Sequence, residues 1–215
     1  MKKELTELVF ILDRSGSMAG LEGDTIGGFN SVLEKQKQEE GRANITTVLF
    51  DDRFEVLHDR RDLREVGKIT EKEYYVRGTT ALLDAVGKSI SQMIHVQRRA
   101  TKEARGKKVM FVIITDGMEN ASLEYSYDQV HRMIAHQKKN YRWEFIFLGA
   151  NIDAAEVADR FGIARDRAAN YHADSKGTQL NYEVISDTVS HLREMGSVAG
   201  DWKEKIEKDY KSRKK

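Results

Sequence analysis

The hexapeptide DRSGSM at residues 13–18 places one carboxylate and two hydroxyls at alternate positions, directly after the apolar run LVFIL. The oxygen-bearing residues are Asp13, Ser15 and Ser17. Alternate residues of a loop can turn their side-chain oxygens towards one centre, and Gly16 permits the backbone angles that this needs. The loop therefore predicts half of an oxygen-lined cation site.

Two later segments carry further oxygen atoms. A second apolar run, VMFVII, leads to Asp116 in the sequence TDGMEN, and the segment RGTTALLDAV places Thr79 and Thr80 at the start of a predicted helix. If the two apolar runs form neighbouring parallel strands, Asp13 and Asp116 emerge at the same carboxyl edge of the sheet. Ligands of open α/β sheets bind in the crevice at that edge, so we expect the three segments to line one site.

The donor atoms of these segments favour a hard cation. All of them are oxygens, and the 215 residues include no cysteine. Such ligands suit Mg²⁺ or Mn²⁺ in octahedral geometry. A cation bound directly by neutral hydroxyls stays electron-poor, so we expect it to keep waters and to accept an anionic oxygen from outside the protein.

The elements that must position these side chains begin with three nearly continuous apolar runs. The runs are LVFIL (8–12), VMFVII (109–114) and FIFL (145–148). Their pattern is typical of strands that are covered on both faces of a mostly parallel sheet. Residues 44–50 and 53–59 predict a hairpin whose second strand is an antiparallel edge, and a last short strand is expected near 168–173.

Stretches with helical spacing alternate with the strands. Their apolar stripes are Ile26, Phe29, Val32 and Leu33; Leu83, Val86, Ile90, Met93 and Ile94; and Val130, Met133 and Ile134. Ser126 followed by Gln129 predicts a capping box, and a long helix from Thr178 to Met195 is expected to end at Gly196. This alternation predicts an α/β three-layer sandwich around a central, mostly parallel sheet of about six strands.

Composition bounds the class of protein. Apolar residues make up 40% and charged residues 33%, with a formal net charge of +1, which argues against a broad nucleic-acid or membrane-binding surface. The apolar stretch before Asp13 is too short for a signal peptide, and no run approaches the ~20 apolar residues of a membrane helix. We therefore expect a cytoplasmic protein, with one domain at 1–200 and a charged helical tail at 201–215.

The three oxygen-bearing segments, in this order, resemble the metal-ion-dependent adhesion site (MIDAS) of von Willebrand factor A (vWA) domains. DRSGSM matches the Asp-x-Ser-x-Ser pattern of that family, GTTALLDA its threonine and IITDG its second aspartate. The resemblance spans residues 4–195 and implies a vWA, Rossmann-like fold. The metal residues that it implies are Asp13, Ser15, Ser17, Thr80 and Asp116, with Thr79 as an alternative register for the threonine.

The same resemblance implies a function. In the family, the serines and the threonine ligate the metal directly or through water, the aspartates act through water or hydrogen bonds, and an acidic side chain of a partner completes the shell. We therefore expect a Mg²⁺- or Mn²⁺-dependent protein-binding module without catalysis. Within the family, the cysteine-free composition resembles bacterial intracellular members, including those of tellurite-resistance-type gene sets.

Two other functional interpretations stay open. Phosphatases of the haloacid-dehalogenase kind also place a nucleophilic aspartate after the first strand beside Mg²⁺, but they need a second acid two residues later, where this chain has Ser15. The other interpretation is a vWA scaffold that has lost its metal and binds partners by another surface.

Polar residues near the three segments have simpler explanations. Asp51 and Asp52 are expected to form a hairpin turn, because aspartate is common in turns. Glu119 and Asn120 follow Asp116 closely, and contact with a ligand is one interpretation; the simpler expectation is that they only face water.

Overall fold

The computed structural model describes residues 4–101 and 103–213, and these contain a six-stranded sheet flanked by helices on both faces. The strands are β1 (Thr6–Asp13), β2 (Ala43–Phe50), β3 (Phe54–Asp62), β4 (Lys108–Asp116), β5 (Glu144–Ala150) and β6 (Ala168–Tyr171). The helices are α1 (Glu22–Gln38), α2 (Leu82–Arg99), α3 (Tyr127–Tyr141), α4 (Ala154–Arg160), α5 (Ser175–Met195) and α6 (Glu204–Ser212).

The strand order is β3-β2-β1-β4-β5-β6. Only the β2–β3 pair among the described strands is antiparallel, and the other four pairs are parallel. This confirms the predicted α/β sandwich with one antiparallel edge strand. The predicted second hairpin strand at 53–59 is found as β3, which extends three residues further, to Asp62.

Strand β1 is central in the sheet, and its sequence is an apolar run without alternation. Every residue of β1 is buried, because successive side chains point to opposite faces of the sheet and both faces are covered. Phe10 packs edge-on against Phe29 of α1, with ring centroids 5.3 Å apart. Its neighbour Ile11 lies in the core on the other face. Burial of each such side chain contributes about 1.5–3 kcal/mol.

The two layers of helices complete the sandwich. Helices α1, α5 and α6 contribute to the core on one face of the sheet, and α2, α3 and α4 to the core on the other. The predicted capping box is confirmed, since the Ser126 and Gln129 side chains each bond to the other residue's backbone N–H. Helix α5 begins at Ser175 rather than at Thr178, because the Asp174 side chain caps it. Gly196 ends it with a φ of 82°.

The residues beyond 200 pack on the same core. Trp202 and Ile206 are buried in the cluster that also contains Phe10. The boundary at residue 200 between a domain and a tail stays a prediction. Within residues 4–101 and 103–213, every helix is too short or too polar to cross a membrane.

Candidate metal centre

The carboxyl edge of the sheet gathers the three oxygen-bearing segments. Strands β1 and β4 are parallel neighbours, with Leu12 beside Ile114, so Asp13 and Asp116 end adjacent strands as expected. Four of the five predicted side chains are buried, with residue exposures of 1–4%: Asp13, Ser15, Thr80 and Asp116. Ser17 is exposed, so the site opens to solvent on that side.

Asp13 joins the ends of β1 and β4. One of its oxygens accepts a hydrogen bond from the backbone N–H of Ser15 at 2.7 Å. The other accepts from the Thr115 hydroxyl at 2.6 Å and from the backbone N–H of Asp116 at 3.3 Å. Burial raises the pKa of the Asp13 carboxyl, and these hydrogen bonds oppose the rise. The sequence pattern did not reveal Thr115, which is the residue before the predicted aspartate.

The two serine hydroxyls meet in the loop after β1. Residues Gly16–Met18 form a short 3-10 turn, and this turn places the Ser15 and Ser17 hydroxyl oxygens 3.0 Å apart. The alternate spacing therefore does bring the two oxygens together, as the sequence predicts.

Gly117 shows where the threonine hydroxyl lies. A Cβ placed on Gly117 would be 3.2 Å from the Ser17 hydroxyl oxygen and 4.0 Å from the Thr80 hydroxyl oxygen. Both oxygens therefore face the same small volume, which a larger side chain would crowd. Thr79 is exposed, so the geometry favours Thr80 over the alternative register.

The second carboxylate has a different set of partners. The Asn151 side-chain amide donates a hydrogen bond to Asp116. Burial raises the pKa of Asp116, the nearby Asp13 charge adds to the rise, and the bond from Asn151 opposes it. In the described residues, neither carboxylate has an arginine or lysine partner. A divalent cation is the kind of group that would compensate both.

Sequence reasoning missed Asn151, although its position carries a signal. It follows β5, whose carboxyl end lies at the same edge of the sheet. A polar residue directly after a buried parallel strand is a reasonable site candidate for that reason.

The expectation that Glu119 and Asn120 only face water is wrong. The Asn120 side-chain oxygen accepts from the backbone N–H of Thr80 at 2.9 Å. The Glu119 carboxylate accepts from the backbone N–H of Leu83 at 2.8 Å, in the first turn of α2. The loop after β4 therefore holds the start of α2, where backbone N–H groups have no partner within the helix.

The expectation that Asp51 serves only a hairpin turn is also wrong. Its carboxylate does accept from the backbone N–H of Arg53 at 2.7 Å, as in a turn. It is also fully buried and forms ion pairs with Arg14 and Arg77.

The donor chemistry fits a hard cation and fits a phosphatase poorly. Among the described residues, no group of three or more His, Cys, Asp or Glu side chains could hold a metal, so any ion at this edge would depend on the hydroxyls with the two aspartates. A nucleophilic aspartate needs an accessible oxygen, whereas both Asp13 oxygens are buried and already accept hydrogen bonds. The position two residues later, where such a phosphatase has its second acid, is occupied by Ser15, and the Ser15 hydroxyl contacts the Ser17 hydroxyl.

This fold is the one found in von Willebrand factor A domains. A von Willebrand factor type A protein from Catenulispora acidiphila is 14% identical and has a TM-score of 0.59, over 87% of this chain and 43% of that one. Manganese-loaded TRAP from Plasmodium vivax is 17% identical, with a TM-score of 0.56 over 84% and 73%. Proximal thread matrix protein 1 from the mussel byssus, in a structure with a zinc-occupied MIDAS motif, is 12% identical, with a TM-score of 0.56 over 87% and 46%.

These likenesses define the fold. The chain spans less than half the length of two of these three structures. No family profile matches the sequence, and no curated protein matches it.

Proposed function

We propose that this chain is a divalent-metal-dependent protein-binding module, not an enzyme. It would hold Mg²⁺ or Mn²⁺ with Asp13, Ser15, Ser17, Thr80 and Asp116 and engage an acidic side chain of a partner protein. One observation carries the proposal: the Ser17 and Thr80 hydroxyls, from two separate segments, lie within 4.0 Å of one point beside Gly117, and the buried carboxylates of Asp13 and Asp116, which end the adjacent strands, lack a basic partner in the described residues.

The side chains would divide the work. Ser15, Ser17 and Thr80 present neutral oxygens, and Asp13 holds the Ser15 backbone in place through its N–H. Asp116 is oriented by Asn151. A divalent cation would supply a positive centre for the carboxylate of the partner. Because Ser17 is the exposed member of the set, the partner would approach from its side.

Two of the structural neighbours support a divalent metal in general at such a site. One is manganese-loaded and another has zinc in a MIDAS motif. The oxygen-only donor set of this chain favours the harder ions. We also propose a cytoplasmic location and a likeness to bacterial intracellular vWA proteins, which the cysteine-free composition favours.

Calorimetric titration of the purified protein with MgCl₂ and MnCl₂ tests the metal site. We expect one saturable site, weakened roughly tenfold or more in Ser15→Ala and in Asp116→Ala. Ser31→Ala, on the exposed face of α1, is the matched control and should bind like the wild type. A wild-type protein that folds but shows no saturable binding would defeat the proposal.

The partner chemistry can be tested with a small dicarboxylate. Glutarate should shift the backbone amide signals of Ser17 and Gly117 only when Mg²⁺ is present. Equal shifts with and without EDTA would favour the metal-free scaffold. Turnover of p-nitrophenyl phosphate that requires Mg²⁺ and is lost in Asp13→Asn would favour the phosphatase instead.

A further inference from the structure

The segment at residues 74–81, which carries Thr80, contains neither helix nor strand. No periodic hydrogen bonding therefore fixes the Thr80 hydroxyl, and its position depends on contacts with other loops. Backbone hydrogen bonds make those contacts. Two of them reach Thr80 itself, whose carbonyl accepts from the N–H groups of Asn120 at 3.0 Å and Ala121 at 3.2 Å in the loop after β4. Three more lie on either side of Thr80: Arg77 N–H to the Arg14 carbonyl at 2.9 Å, Gly16 N–H to the Gly78 carbonyl at 3.1 Å, and Ala81 N–H to the Asp51 carbonyl at 2.8 Å.

An ionic group with a buried centre and two partly exposed members lies among the bonds on either side of Thr80. One oxygen of Asp51 accepts from Nε of Arg14 at 2.9 Å and from Nε of Arg77 at 2.7 Å. Nη2 of Arg14 also donates to Glu55 at 2.7 Å. The Arg14 and Asp51 side chains are fully buried, while Arg77 is 32% exposed. We call Arg14, Asp51, Glu55 and Arg77 the Asp51 cluster.

Neighbouring side chains hold the cluster against the 74–81 segment. The Tyr75 ring lies 5.3 Å from the Arg14 guanidinium carbon and 5.4 Å from that of Arg77, within the range of cation–π attraction. Gly78 has a φ of +66°, and a Cβ there would lie 2.0 Å from an oxygen of Asp52. The segment is therefore packed tightly against the β2–β3 turn.

The charge balance of the Asp51 cluster suggests how it acts. Burial alone would raise the pKa of Asp51, but the hydrogen bond from Arg77, with those from Arg53 and Arg14, holds it below its ordinary value. Asp51 is therefore ionised at neutral pH. Two arginines then face two carboxylates, so the cluster has no formal net charge with which to attract or repel a cation. Its role must come from geometry.

We propose that the members of the Asp51 cluster are positioning residues. They hold the 74–81 segment against the loop after β1, so that hydroxyls from this segment and from this loop face the same ion. This inference rests on the proposed metal-binding function. The cluster joins three stretches that are distant in the sequence: the β1 loop, the β2–β3 turn and the 74–81 segment. Groups that orient metal ligands in this way typically change metal affinity 10–100-fold when they are altered.

Two substitutions that remove charges of opposite sign distinguish a positioning role of the cluster from a purely electrostatic effect on the ion. Asp51→Asn removes a negative charge, and Arg77→Gln removes a positive one. If the cluster acted by charge alone, Arg77→Gln would strengthen Mg²⁺ binding and Asp51→Asn would weaken it. If the cluster positions Thr80, both variants should weaken Mg²⁺ binding, each by roughly tenfold or more. Arg77→Lys keeps the charge but loses the Nε geometry and should fall between Arg77→Gln and the wild type.

The matched controls are Glu7→Gln and Arg60→Gln, which alter a buried acid–arginine pair at the opposite end of the sheet. They should leave the Mg²⁺ affinity within about twofold of the wild type. Calorimetric titration measures affinity, and circular dichroism checks that each variant is folded. Because Arg77 is partly exposed, Arg77→Gln should fold even where Asp51→Asn does not.

Hydrogen exchange of the metal-free protein gives a readout that does not depend on the metal. The Ala81 amide should exchange faster in Arg77→Gln than in Glu7→Gln, because it donates to the Asp51 backbone. No saturable binding by the wild type would overturn the proposed function and this inference with it. If Ser15→Ala binds Mg²⁺ at least tenfold more weakly than the wild type, while Arg77→Gln binds it like Glu7→Gln or more tightly, the inference alone is wrong.

Discussion

The two ends of β1 each bury a carboxylate, but among the described residues only the carboxylate at the amino end is paired with an arginine. At the amino end, Glu7 is 1% exposed and one of its oxygens accepts from Arg60 at 2.8 Å and from Asn44 at 3.2 Å. Asp13 lies six residues further along the strand, about 20 Å from Glu7. It is equally buried, but its hydrogen-bond partners are backbone N–H groups and the Thr115 hydroxyl.

The difference separates structural acids from candidate functional ones. Two arginines, Arg14 and Arg77, lie near the carboxyl end of β1, but both pair with Asp51. In the described residues, Asp13 and Asp116 therefore have no basic partner. Burying a carboxylate without a counter-charge costs free energy. Such an arrangement is expected where a cation supplies the missing charge.

The largest expected effect falls on the amino end. Arg60→Met leaves the Glu7 carboxylate buried without its arginine and should lower the free energy of unfolding by about 3 kcal/mol. Urea unfolding measures this. Mg²⁺ affinity should be unchanged, because the substitution lies far from the site. Pairing it with Glu7→Met should recover much of the loss, and no recovery would argue against an ionic role for Glu7.

Metal-linked stability sharpens the contrast at the carboxyl end. Mg²⁺ at 100 times its dissociation constant should raise the free energy of unfolding by about 2.7 kcal/mol, with a reversal on addition of EDTA. Thermal unfolding with and without Mg²⁺ measures the shift. At the same Mg²⁺ concentration it should fall to about half or less in Ser15→Ala and persist in full in Glu7→Gln. Equal shifts in both variants would place the ion elsewhere.

A smaller effect is expected when one unpaired carboxylate is removed. Asp116→Asn should raise the free energy of unfolding of the metal-free protein by roughly 1 kcal/mol, since functional sites often hold destabilising groups. The same change should weaken Mg²⁺ binding. Guanidinium unfolding in EDTA measures the first effect. A clear loss of stability in EDTA would instead make Asp116 a structural acid like Glu7.

The smallest effect concerns the pH dependence of the amino end. Burial raises the pKa of Glu7, and the hydrogen bonds and charge of Arg60 oppose the rise. The folded state therefore holds the proton more tightly than the unfolded state. The contribution of Glu7 is present below about pH 4.5 and is lost as the pH rises through the raised pKa. Urea unfolding of the wild type and of Glu7→Gln between pH 4 and 7 isolates this contribution as the difference between their free energies of unfolding, wild type minus variant. That difference should fall as the pH rises, and a difference that rises with pH would contradict the sign.

Local pattern made much of the fold and part of the site predictable. Unbroken apolar runs identified β1, β4 and β5 because strands buried on both faces have no polar side. The sequence analysis assumed that β1 and β4 are neighbours, and the structure confirms it. The alternate spacing of DRSGSM anticipated the contact between Ser15 and Ser17. Each of these inferences uses a pattern within a few consecutive residues, and such a pattern does not depend on tertiary contacts.

The remaining features depend on residues that are far apart in the sequence. Arg14 lies 37 residues from Asp51, and Asp116 lies 35 residues from Asn151. Such pairs exist only once the strand order places their loops side by side. For the same reason the sequence left Thr79 and Thr80 as alternatives, and only the packing of the 74–81 segment beside Gly117 distinguished them. The sequence by itself determined most of the strands and helices and the candidate oxygen donors; tertiary contacts decided which donors face one another and which acids receive an arginine.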